Sequence, residues 1–380
     1  MITLQFQKVL QKRLREKNPL LQILLGPRQV GKTTAAEAIY QEWSGKKIMA
    51  SADSPSPPSP DWIRHHWEQA RLKGAGTLLI LDEVQKVPGW SEQVKILFDP
   101  DRGKRDLRVL LLGSSSLYLQ KGLRESLAGR FELIRASHWS YTDFREAFGW
   151  DFETYLRFGA YPGTVPLKEE ESRWRHYILN SIIEPVLGKD ILGQHPVNNP
   201  ALFRQTFELV MHYPAQVVSF QKLLGQLQER GNAATIKQYL HLLEQSFLIK
   251  TLQKYSGSPL QIRTSSPKIV VLNQALNHAY QPPEKLAQDL DWRGRVFESV
   301  VGAHLSQVPD SDLYYWKEGT AEVDYILRTP KGLYALEIKS GHRKSSKGIY
   351  LFSKRYPKAR CEVWDFEKSQ QFLNGTIKLE

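Results

Sequence analysis

The chain has 380 residues, 41% of them hydrophobic, which fits two or three globular domains. No apolar run approaches the eighteen or more residues of a membrane span, Met1–Lys12 lacks a signal-peptide pattern, and a lone cysteine, Cys361, excludes an internal disulfide or a cysteine metal cluster, so a cytoplasmic location without a membrane partner is expected. The excess of 52 Lys and Arg over 40 Asp and Glu, formally +12, points to a polyanionic partner, nucleic acid first and DNA ahead of RNA.

In chain order, Leu20–Leu25 reads as a buried strand and Thr34–Ile39 as a helix. Between them Gly26-Pro27-Arg28-Gln29-Val30-Gly31-Lys32-Thr33, continued by Thr34, satisfies the pattern G-x-x-x-x-G-K-[ST]. Glycines at this spacing let backbone N–H groups turn inward around a polyphosphate, and the following helix N-terminus adds favourable partial charge. Lys32 is expected to reach the β and γ phosphates and the Thr33 hydroxyl to face Mg²⁺, so ATP and Mg²⁺ are the expected cofactors. A second strand over Lys46–Asp53 leads into the stiff Ser/Pro loop Ser54–Pro60 and an amphipathic helix from Trp62 to Lys73. The apolar run Thr77–Leu81 ends in Asp82 and Glu83. Asp82 at a strand end can hold Mg²⁺, and Glu83 can orient and deprotonate the attacking water, which predicts hydrolysis and not binding alone. The run Leu107–Gly113 ends in Ser114, which either bonds the γ-phosphate or attacking water or simply closes the strand in a serine turn. Arg130 is a candidate charge stabiliser, acting in its own subunit or on a neighbour if the chain self-associates. Apolar strands alternating with helices predict a parallel α/β sheet that binds ligands at the strand C-terminal ends.

From His138 to Leu192 the pattern turns helical, broken at Gly159–Gly163. Helices are predicted over Phe203–Tyr213, Phe220–Arg230 and Thr235–Phe247, with wing strands at Leu248–Leu252 and Pro259–Arg263. This is a winged helix-turn-helix plan with Lys237, Gln238 and His241 outward, or else a packing module between domains. A β-rich C-terminal part carries one helix, from Gly294 to Ser306. There Asp324 falls early in one strand, and Glu337 and Lys339 share a face of the next. Asp324, Glu337 and, from the helix, Glu298 are candidate Mg²⁺ ligands, while Lys339 could activate water and stabilise developing charge on phosphorus.

The strings GPRQVGKTT (26–34), LDEVQKVPGWSEQVK (81–95), LLGSSSLYLQKGLRESLAGRFE (111–132) and HWSYTDF (138–144) resemble the prokaryotic AAA+ ATPases of the archaeal-ATPase-like group. In that group an ATPase core is fused to a C-terminal domain of unknown function. The resemblance extends to GAYPG (159–163) and SSPKIVVLN (265–273), implies that Ser114 is the sensor residue, and gives Arg130 a family position. No lid arginine matches a second sensor. Glu298…Asp324…Glu337-Ile338-Lys339 resembles the PD-(D/E)XK nuclease superfamily, with Val323 where a proline is usual. Asn273 ends a strand where relatives often carry Asp, as a cap or turn. The expected architecture is thus a P-loop AAA+ core (1–137), a helical lid or linker (138–199), a winged helix-turn-helix (200–266) and an α/β restriction-endonuclease-like domain (267–380). The expected activity is Mg-dependent ATP hydrolysis coupled to nucleic-acid binding and metal-dependent phosphodiester cleavage. The alternative is an ATP-dependent regulatory switch whose nuclease-like domain is catalytically silent. Phosphate transfer to a small molecule is disfavoured by Asp82 and Glu83.

Overall fold

Strands buried on both faces read as unbroken apolar runs, and the first 138 residues contain several. A computed structural model describes residues 2–379 except 18–19, 57, 105, 115–125, 230, 257–264 and 341–346. It separates into two compact units, Met1–His138 and Trp139–Glu380.

The first unit runs α1 (Gln5–Leu14), β1 (Leu21–Leu25), α2 (Lys32–Glu42), β2 (Lys47–Ser51), α3 (Asp61–Lys73), β3 (Thr77–Asp82), α4 (Trp90–Asp101), β4 (Leu107–Gly113) and β5 (Phe131–Arg135). Its five strands pair in parallel in the order β2-β3-β4-β1-β5. Every residue of β1 and β3 is buried. Ile63 and Trp67 of α3 and Val94 and Phe98 of α4 share one core with Leu79, Leu81, Val109 and Leu111. The register Leu25↔Gly113 and Leu81↔Leu111 aligns the C-terminal ends of β1, β3 and β4. One edge therefore collects Gly26, Asp82 and Ser114. Edge strand β5 is only half-buried, and its run Phe131–Arg135 gives little apolar signal.

The second unit opens with α5 (Tyr141–Phe148), α6 (Phe152–Phe158) and α7 (Glu171–Tyr177), which continues as wide-turn helix over Ile178–Ile183 and Pro185–Leu192. There follow α8 (Pro200–Met211), β6 (Gln216–Val217), α9 (Phe220–Leu224), α10 (Ala233–Gln245), β7 (Ile249–Leu252) and β8 (Lys268–Val271). Ser140, Asp151, Asn199, Ser219 and Asn232 cap five of these helices through side-chain bonds to backbone N–H groups. Helix α9 stops at Leu224 against Gly225, well short of the expected Arg230. Lys237, Gln238 and His241 do lie exposed on α10. The wing strand expected at Pro259–Arg263 lies outside the described residues. The strand that pairs with β7 is β8, which also pairs with β6 in an antiparallel sheet ordered β6-β8-β7. A boundary at 266/267 therefore cuts a hydrogen-bonded sheet. Asn273, buried, caps α11 (Gln274–His278) by accepting from Ala275 N at 3.1 Å. It also accepts from Ala160 N at 3.0 Å and so fixes the helical break at Gly159–Gly163.

The rest comprises α12 (Lys285–Gln288), α13 (Leu290–Leu305), β9 (Asp312–Glu318), β10 (Ala321–Thr329), β11 (Gly332–Ile338), α14 (Lys347–Arg355), β12 (Arg360–Trp364) and α15 (Phe366–Leu373). Strands β9, β10 and β11 form an antiparallel meander, and β12 joins β11 in parallel after the α14 crossover. Two glycines allow the close packing. A Cβ on Gly348 of α14 would lie 1.8 Å from the Glu322 carbonyl oxygen, and one on Gly302 of α13 would lie 2.3 Å from the Tyr325 hydroxyl. No helix among the described residues is long and apolar enough to cross a membrane.

Candidate functional site

The loop after β1 has the conformation its glycines permit. A Cβ at Gly26 would sit 2.4 Å from the Ala136 carbonyl oxygen, and Gly31 adopts φ +84°. Pro27 and Val30 are buried anchors, whereas Arg28 is half-buried and Gln29 exposed, with Gln29 in the left-handed region at φ 59°. Helix α2 begins at Lys32, so its first turn carries Lys32, Thr33 and Thr34. The Lys32 ammonium donates to the Gly26 carbonyl at 2.9 Å and the Pro27 carbonyl at 2.6 Å, arching over the loop. Thr33 Oγ1 donates to Asp82 Oδ2 at 2.9 Å. That contact joins the loop to the end of β3, as a shared Mg²⁺ site requires.

Asp82 is nearly buried, and its Oδ1 accepts from Glu83 N at 2.9 Å. Glu83 turns left-handed at φ 52°, a conformation sparsely populated by non-glycine residues and concentrated at functional sites. Burial first, then the neighbouring Asp82, push the Glu83 carboxyl above the ordinary carboxylate range. A hydrogen bond from Gln85 and the charges of Lys32 and Lys86 partly offset this. Buried Gln85 donates through Nε2 to Glu83 Oε2 and, at 3.4 Å, to Ser114 Oγ. Sequence reasoning missed Gln85, whose signal is a polar residue between Val84 and Lys86 directly after the two acids. Thr33, Asp82, Glu83 and Ser114 are thus brought together, and the donor set fits Mg²⁺ and a triphosphate.

Arg130 is not brought to this edge. The pairing Leu21↔Phe131 places it at the starting end of β1 and β5. It is a strand's length from Gly26, about 15 Å at the usual rise per residue. Its guanidinium holds Asp99 of α4, with Nη2 2.8 Å from Oδ2.

In the second unit a cleft of about 620 Å³ is lined by, among others, Arg295, Glu298, Lys317, Glu322, Asp324 and Glu337. Strand β10 pairs with β11 only from Tyr325 onward, and its register against β9 shifts between Val323 and Ile326. Such bulges re-aim side chains beside sites. Asp324 and Glu337 accordingly stand where β10 and β11 part, facing Glu298 on α13. Lys339, expected beside them, directly follows β11. β11 ends at Ile338, and the Lys339 backbone N–H continues the pairing with β12 by donating to Trp364 O at 2.7 Å.

The expected metal shell also surrounds a cation of the chain's own. Lys268 of β8, fully buried, reaches between the carboxylates. Its Nζ donates to Glu298 Oε1 at 2.6 Å, the Asp324 carbonyl at 3.1 Å and Asp324 Oδ1 at 3.4 Å, and lies 3.8 Å from Glu322 Oε1. Asp324 Oδ2 accepts from Ile338 N at 2.8 Å, and Lys317 holds Glu322 Oε2 at 2.8 Å. Burial alone would lower the Lys268 pKa, but Glu298, Asp324 and Glu322 outweigh it and hold the ammonium charged, with its pKa above the ordinary value. A divalent ion drawn to the same oxygens would meet the repulsion of this ammonium. Among the described residues no group of three or more His, Cys, Asp or Glu is arranged to hold a metal ion. As they stand, Glu298, Asp324 and Glu337 do not fit Mg²⁺.

A parallel sheet ordered β2-β3-β4-β1-β5, with a glycine-lysine loop after β1 and paired acids after β3, defines a P-loop core of the AAA+ type. Residues 18–145 match the AAA domain family, residues 149–286 a domain of unknown function (DUF8612) and residues 293–377 another (DUF4143). Uncharacterised proteins of Mycobacterium bovis and Mycobacterium tuberculosis are each 29% identical over 329 residues, covering 83% of this chain and 69% of the relative. Among solved structures, the RuvB Holliday junction branch migration motor of Thermotoga maritima is similar at 15% identity and a TM-score of 0.34, over 64% of this chain and 88% of that one. The Aeropyrum pernix ORC1 protein in complex with DNA is similar at 13% and 0.32, over 72% and 91%.

Proposed function

We propose that the chain is a Mg-dependent ATPase that works as a switch on nucleic acid, DNA in preference to RNA, with a C-terminal cleft that holds its ligand and does not cut it. The observation that carries the ATPase is the link from Thr33 through Asp82 to Glu83, at the strand edge where the phosphate loop opens. Lys32 and the loop N–H groups bind the triphosphate, Glu83 takes a proton from the attacking water, and Ser114 and Gln85 orient the Glu83 carboxylate. Held by Thr33 and Asp82, Mg²⁺ would draw charge from the phosphate oxygens. Arg130, at the far end of the strands, can serve only a neighbouring copy's nucleotide. The polyanion reading is supported by α1 and the turn after it, which present Lys8, Lys12, Arg15 and Lys17 to solvent. The helix-strand order of α8, β6, α9, α10, β7 and β8 also supports it, being that of a winged helix.

Phosphate release should be measured with and without DNA. Release by wild type and none by Lys32→Ala supports the reading, and release by Lys32→Ala would sink it. A second reading, metal-dependent phosphodiester cleavage, is favoured by the convergence of Glu298, Asp324 and Glu337 on one cleft. End-labelled DNA and RNA incubated with Mg²⁺ or Mn²⁺, with and without ATP, separate the two. Cleavage by wild type that Asp324→Asn abolishes would replace the holding role.

A further inference from the structure

We propose that Lys268 is the resident cation of the C-terminal acid cluster, so that the cleft works without a divalent metal. The proposal rests on reading that cleft as the ligand-holding part of the switch. Three observations carry it. Nζ is within bonding distance of both Glu298 Oε1, at 2.6 Å, and Asp324 Oδ1, at 3.4 Å, oxygens of two of the three expected metal ligands. The side chain is wholly removed from solvent and also contacts the Tyr325 ring, with Nζ 4.8 Å from its centroid. Its backbone is held on both sides, since Lys268 pairs with Val217 of β6 and with Leu252 of β7, so the ammonium is not on a loop that can swing away. A lysine in this place neutralises the cluster as a metal would. It offers no open coordination position on which water could be activated, whereas a catalytic metal requires one. Buried charges persist when paired and hydrogen-bonded, and this ammonium meets both conditions.

The test uses the full chain carrying Asp82→Asn, which removes the acid at the other metal site, and follows Mn²⁺ binding by electron paramagnetic resonance without nucleotide. The protein with Lys268 intact is expected to bind no Mn²⁺ stoichiometrically. Adding Lys268→Met is expected to create one site, which Asp324→Asn then removes, and the thermal midpoint of the Lys268→Met protein should rise with added Mn²⁺. Should Lys268→Met alone not fold, Lys268→Gln, which keeps a donor toward Glu298 and Asp324 without the charge, takes its place. Stoichiometric binding by the Lys268-intact chain that Asp324→Asn abolishes would overturn the proposal. So would a folded Lys268→Met or Lys268→Gln protein that gains no Mn²⁺. Binding of labelled DNA in the presence of EDTA is read separately. Its loss alongside the expected Mn²⁺ results would sink the nucleic-acid reading and leave the lysine's role standing.

Discussion

In the proposed mechanism hydrolysis turns on Glu83, whose surroundings would set the pH at which it works. Its carboxyl is raised by burial and by Asp82, and lowered again by the hydrogen bond from Gln85. A general base must be unprotonated, so activity falls as pH drops through that raised value. Gln85→Leu removes the lowering contribution, and the acid limb of the kcat/KM profile is expected to move to higher pH. A limb that stays in place would show that Gln85 does not govern Glu83. Glu83→Gln is expected to slow phosphate release by about 10²–10⁴-fold, the usual contribution of general-base catalysis, with nucleotide binding retained. The residue scale also shows the limits of reading the chain linearly. Lys32, Thr33, Asp82 and Glu83 are legible because each sits at a fixed offset from a strand end. Lys268 is not, because its neighbours Glu298 and Asp324 are 30 and 56 positions away. Before an apolar strand a lysine reads as a solvated end, and only the fold turns it inward.

At the scale of elements, α14 lies on β10 with no side chain between helix and strand backbone at Gly348. Gly348→Ala would drive a methyl group into the Glu322 carbonyl and force the helix outward. Overpacking of this kind costs about 1–3 kcal/mol, and a lower denaturant midpoint is the expected reading. An unchanged midpoint would mean that the helix shifts freely. The strands β1, β3 and β4 were plain in the sequence as apolar runs, whereas β5 was not, because an edge strand needs one apolar face only. The pairing of the apolar run from Lys268 was hidden for a related reason: it looked like the start of a new domain, yet its partners are β6 and β7. The bulge at Asp324 left no trace in the sequence, since alternation counts residues and cannot show where pairing slips.

For the whole molecule, acidity and salt are the two levers. His278 is pushed down to about 4 by burial, and His304, which bonds the Val300 carbonyl through Nδ1 and accepts from Tyr141 N, is lowered by the same cause. Above an unfolded-state pKa of about 6.5 both states leave the ring neutral, and the folded chain keeps this stability in full. As pH falls from there toward 4, the unfolded chain takes up protons that the fold refuses, and stability drops by up to about 3 kcal/mol for His278. Urea midpoints at pH 7.5 and 5 should therefore differ, with a smaller difference in His278→Gln, which can still donate to Leu156 O. Salt tests the proposed nucleic-acid partner. If α1 meets phosphates, Lys8→Glu with Lys12→Glu should weaken DNA binding uniformly across sequences and flatten the logarithmic salt slope by about 0.9 for each phosphate no longer neutralised. A slope unchanged by both substitutions would remove α1 from the interface.

The strand that carries Lys268 also bears on how this chain can be dissected. β8 is hydrogen-bonded to strands that precede it, while the acids it neutralises all follow it. A fragment begun at α13 to isolate the C-terminal sheet would leave its counterion behind. If Lys268 is the resident cation proposed above, such a fragment is expected to gather divalent cations at Glu298 and Asp324 and display a metal dependence that this cleft lacks in the full chain.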